Sequence, residues 1–84
     1  MVEIDGLKVE VDSRKASDWH AFNLIRKAQD ANQFDQLSVM LEFIGYVTDQ
    51  TEESIIEHLG GDTAQVADVV SLVAKIVSAA TPKN

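Results

Sequence analysis

The side chains able to do chemistry are few: His20, His58, the carboxylates Glu52, Glu53 and Glu57, and the glycine pair Gly60-Gly61. A metal centre needs several His, Cys or carboxylate ligands at matched spacing. Here Glu57-His58 supplies one adjacent pair, neither histidine has a second nearby, and there is no cysteine for a thiolate site or a disulfide. A phosphate-cradling loop needs a lysine after its glycines, and Gly60-Gly61 is followed instead by Asp62. Glu52, Glu53 and Glu57 recur at helical spacing and read as a solvated acidic face rather than as general acids. No local nucleophile, base and orienting group stand together. The expectation is a protein with no catalytic residue, cofactor or metal, one that works by binding.

The elements that would carry such binding are apolar helices. From Val66 to Ala80 the polar residues Asp68, Ser71, Lys75 and Ser78 form one narrow stripe, and the rest is almost wholly aliphatic. Such a helix is expected to bury most of its circumference, either centrally in the domain or against a partner. At 84 residues the chain is one domain, close to the size at which a single core barely suffices, so burial shared between copies is expected and the protein is read as a homo-oligomer. The charged, β-patterned N-terminus is unlike a signal peptide, and no apolar run is long enough to span a bilayer, so the expected location is the cytoplasm. Net charge is -7, with residues 32–84 carrying eight acidic and two basic side chains, a balance that repels nucleic acid and anionic membranes. Arg14, Lys15, Arg26 and Lys27 form the one basic cluster, read as a solvated flank.

The fold expected is mainly α, an N-terminal β-hairpin (1–12) followed by a compact bundle of about four helices (17–80) and a free tail (81–84). Residues 2–11 alternate strictly, and Asp5-Gly6 suits a two-residue type I′ turn, which pairs Ile4 with Leu7, Val2 with Val9 and Glu3 with Lys8. Ser17 is the expected N-cap of a helix to Ala31, with Ala21, Leu24, Ile25, Ala28 and Ala31 as its stripe. Trp19 lies outside that stripe, either as a lid over the hairpin or as an exposed aromatic anchor. A second helix is expected from Phe34 to Ile44, stopped by Gly45. Its seam is Phe34, Leu37, Met40, Leu41 and Ile44, with Val39 and Phe43 off the seam. Asp49 with Glu52 is expected to cap a third helix, and Asp62 with Gln65 a fourth, ended by Pro82. The apolar surplus on the second and fourth helices makes Trp19, Val39, Phe43, Val69, Val73 and Ile76 the expected partner-binding residues.

In bulk properties an acidic four-helix chain is similar to an acyl carrier protein. A carrier, however, presents its serine within Asp-Ser-Leu at an exposed helix start, whereas Ser38 falls inside a predicted helix. Taken in order, Ser17-Asp18-Trp19 opening a helix, Phe43-Ile44-Gly45, Glu57-His58-Leu59, Gly60-Gly61-Asp62, an aliphatic last helix and a Lys83-Asn84 tail make a chain that resembles the tail assembly chaperones of long-tailed phages and prophages. Tyr46-Val47-Thr48-Asp49-Gln50 stands where that family suggests a more acidic continuation. The resemblance implies a non-enzymatic protein of the bacterial host cytoplasm. It would bind the long tape-measure protein, with the tail-tube protein as a second partner, during tail assembly, and would often be accompanied by a longer frameshifted product. The competing classes are a small acidic inhibitor or antitoxin-like protein that blocks a basic site through Glu52, Glu53, Glu57 and Asp62, and a plain oligomeric structural subunit. Apolar docking should be nearly insensitive to salt, and such an inhibitor steeply sensitive.

Overall fold

The computed structural model describes residues 1–82. Strands β1 (Val2–Ile4) and β2 (Leu7–Val9) form an antiparallel hairpin in the register expected, with Val2 opposite Val9, Glu3 opposite Lys8 and Ile4 opposite Leu7. The turn residues Asp5 and Gly6 have φ of 50° and 85°, the left-handed pair a type I′ turn requires. Two strands do not hold together alone, and this hairpin is tied down at both ends. At the turn, His58 Nε2 lies 2.9 Å from the Asp5 carbonyl oxygen, and Lys75 Nζ lies 2.9 Å from the Asp5 carboxylate. Beyond β2 the chain runs beside the loop that precedes the fourth helix: Val11 bridges Thr48, the Asp12 N–H donates to the Val47 carbonyl, and the Glu10 N–H donates to the Asp49 carboxylate.

Five helices follow: α1 (Ser13–Ala16), α2 (Trp19–Asp30), α3 (Gln33–Val47), α4 (Glu52–His58) and α5 (Val66–Ala80), with a 3-10 turn at Gly61–Thr63. Several ends differ from the sequence reading. The short α1, capped by the Asp12 carboxylate, was not expected. Ser17 closes α1, and Asp18 caps α2 by accepting from the Ala21 N–H. Gly45 does not stop α3, which runs on to Val47 because a further apolar position there is buried against the first helices. Asp49 is occupied by Glu10, so Thr51 caps α4 in a reciprocal box with Ser54. Asp62 sits in the 3-10 turn, and α5 starts after Gln65 without a side-chain cap. The break at Gly60-Gly61 is as expected, both residues having positive φ. At the C-terminal end Thr81 is not free: its N–H and its hydroxyl both donate to the Val77 carbonyl. Lys83 and Asn84, the rest of the expected tail, lie outside the described residues.

The molecule is flat, 35 × 30 × 18 Å, with α3 between two apolar clusters. On one side Ile44 meets Ile4 and Val9 of the hairpin, Ile55 of α4, and Val69, Leu72, Val73 and Ile76 of α5. On the other, Val39, Phe43 and Val47 meet Ala16, Ala21 and Leu24, together with Ala80. No polar or charged side chain is buried among the described residues, so the core gains its stability from apolar burial alone. Among the described residues no helix is long and apolar enough to cross a membrane.

Candidate partner-binding surface

Five of the six residues expected to meet a partner are interior. Phe43 is 2% exposed, Val73 and Ile76 are fully buried, and Val39 and Val69 are nearly so. The apolar surplus of α3 and α5 is therefore consumed, for these positions, by central packing: α3 has neighbours on two opposite faces, so residues off its main seam bury against α2. These five residues do not form an accessible surface on a single copy, although Val69 reaches the base of a hollow between α3 and α5. Trp19 is the exception, 70% exposed and stacked on Phe22 with ring centroids 5.2 Å apart, while the Arg26 guanidinium lies over the Phe22 ring. It does not cover the hairpin.

A different set of apolar residues does reach solvent. Phe34, in the first turn of α3, is 90% exposed, and Val66, at the start of α5, is 73% exposed; Val70 is open as well. Side chains on a helix lean toward its N-terminus, so a first-turn residue overhangs the end of the element and escapes the neighbour that covers later positions. These three residues, with Leu37, Met40, Gln33 and Gln36, line an open groove of about 320 Å³ between α3 and α5. A second hollow of about 310 Å³ continues from it, sharing Leu37 and Val66 and extending to Leu41, Ile56 and Val69, with Glu52, Gly61, Asp62 and Ala64 along it. Side by side they make a trough lined mostly by apolar side chains, with the carboxylates Glu52 and Asp62 in the second hollow only. Phe34 and Leu37 belong to the seam read from the sequence, and Val66 to the aliphatic run. What sequence periodicity lacks is the fact that α5 crosses α3 without covering its first turn.

The chemistry-bearing side chains are dispersed. His58 holds the hairpin turn, and His20 lies edge-on to Tyr46 with ring centroids 4.5 Å apart. Among the described residues no three His, Asp or Glu side chains gather as metal ligands. Ser38 lies within α3, beside Lys27, Asp30, Asp35 and Glu42 along an open hollow. The Tyr46 hydroxyl donates to the Asp18 carboxylate. That bond, followed by the one from the Ala21 N–H, holds the carboxyl below its ordinary value, and the same bond raises the Tyr46 phenol. The pair joins the start of α2 to the end of α3, a positioning role in the fold. Compared with models of protein families, with curated proteins and with solved structures, the chain matches none.

Proposed function

We propose that this chain is a non-enzymatic binding protein whose trough between α3 and α5 covers an apolar helical stripe of a larger partner. The observation that carries the proposal is Phe34, an aromatic ring 90% exposed beside Val66 and Val70 over an apolar hollow. Contiguous apolar surface at the mouth of a concavity marks interaction sites on small proteins. Helix-in-groove recognition is the mode such a surface serves.

The specific partner proposed is a phage tape-measure protein, with the chain acting as a tail assembly chaperone in the bacterial cytoplasm. Support for this finer reading is the order of short sequence features, from Ser17-Asp18-Trp19 through Gly60-Gly61-Asp62, that resembles those chaperones. The acidic remainder of the surface suits a protein that must keep an apolar client soluble. Release is proposed to follow competition by tail-tube subunits. Self-association is part of the same reading, with the stacked Trp19 and Phe22 as the exposed aromatic surface away from the trough.

Co-expression with the long coiled-coil-rich product of a neighbouring reading frame tests the proposal. The client should stay soluble and co-purify with the wild-type chain, and Phe34→Asp should abolish this while leaving the helical circular dichroism intact. A client equally soluble without the chain, or bound equally by Phe34→Asp, would refute it. An acidic-inhibitor mode predicts instead that affinity falls by orders of magnitude between low and high salt. Docking anchored by Phe34 should weaken only severalfold.

A further inference from the structure

We infer that the segment seated in the trough is an amphipathic helix carrying lysine or arginine about one turn beyond its apolar anchors. The inference rests on the binding role just proposed for the trough and adds the chemistry of the occupant. The two hollows adjoin at Leu37 and Val66, which line both, with Phe34, Met40 and Val70 on one side of that junction and Leu41 and Ile56 on the other. Phe34 to Leu41 spans seven residues of α3, about 10 Å at the helical rise, which matches two turns of a docked helix with anchors at i, i+3, i+4 and i+7.

Charge then sets which helix fits. Glu52 and Asp62 line the second hollow and not the first, and among the described residues no basic side chain lines either. Among the described residues neither carboxylate is in an ion pair, the pair found being Lys75 with Asp5 at the hairpin turn. An apolar helix ending in acidic residues would meet like charge there, and one ending in Lys or Arg would meet its complement. Two open pairs of this kind add modest affinity and strong discrimination of sign.

The test uses the full chain and three synthetic peptides of about 18 residues, long enough to be helical. Each carries the same leucine face, and the turn beyond it holds Lys, Gln or Glu. Binding is followed by backbone amide shifts and by titration calorimetry at low and high salt. The Lys-ended peptide should shift residues 33–41 and 62–70 and bind about fivefold more tightly than the Glu-ended one at low salt, a gap closing to within about twofold at high salt. Glu52→Gln with Asp62→Asn should erase the gap and leave the Gln-ended peptide unaffected. Equal affinity of all three peptides at the trough would overturn the charge inference while leaving apolar docking there intact. Shifts confined to residues outside the trough, or no binding by any peptide, would overturn both. Concentration-dependent shifts of the same residues without peptide, matched by a dimer in sedimentation, would assign the trough to a second copy and end the proposal.

Discussion

Two phenylalanines nine residues apart on one helix have opposite fates, and the difference is a matter of which neighbours each one meets. Phe43 is enclosed by α2 and the C-terminal end of α5, whereas Phe34 overhangs the start of α3. Truncating Phe43 to alanine should cost about 3–5 kcal/mol of stability, read by urea denaturation. The same change at Phe34 should move stability by no more than about 0.5 kcal/mol and be felt only in partner binding. Asp18 offers a residue-scale test with pH. Its carboxyl is held below the ordinary value mainly by Tyr46, so its stabilising contribution is present above the unfolded carboxylate value and is lost as pH falls through the lowered folded value. Tyr46→Phe removes the principal cause. The deficit of that variant against wild type should be largest near neutral pH and shrink as both are acidified through the carboxylate range. A deficit that stays constant with pH would assign Tyr46 to packing alone.

At the scale of elements, α3 organises the molecule, and its length depends on a glycine that does not act as a stop. Gly45 lies within the helix, is exposed, and a Cβ built there meets nothing within 4 Å. Gly45→Ala should therefore stabilise the protein by roughly 0.5–1 kcal/mol, measured by thermal or urea unfolding. The element boundaries show how far local sequence rules reach. The hairpin was legible to the residue, because Asp5-Gly6 and strict alternation leave one register. The caps were not, since Asp12, Ser13, Ser17 and Asp18 are all competent within seven positions and local chemistry does not rank them. Tertiary bonds decide: Asp49 is taken by the Glu10 N–H, which leaves Thr51 to cap α4.

For the whole molecule, a radius of gyration of 12.1 Å matches the roughly 12 Å of a compact chain of this length. A single copy thus closes its own core, and besides Met1 and Val2 at the first strand what it leaves open is local: the trough at Phe34, Val66 and Val70, and the Trp19–Phe22 stack. Stability and binding should therefore separate cleanly under mutation. Val39→Asp, which places a charge between α2 and α3, should unfold the chain. Val70→Asp, on the trough wall, should leave the melting curve nearly unchanged and abolish client binding. Trp19→Ala should likewise melt as the wild type does, and any loss should fall on self-association, read by sedimentation.

By itself the sequence determined the hairpin and its register, the existence of the four longer helices, the mainly α class and the apolar surplus on α3 and α5, because each follows from periodicity and turn chemistry along the chain. Only the tertiary structure decided where that surplus goes. A helical wheel reports which residues share a face, but not how many neighbours the helix has or which of its turns they cover. With α3 flanked on both sides, Val39, Phe43, Val69, Val73 and Ile76 became core, and Phe34 and Val66, at helix starts beyond their neighbours' reach, became surface together with Val70 one turn on.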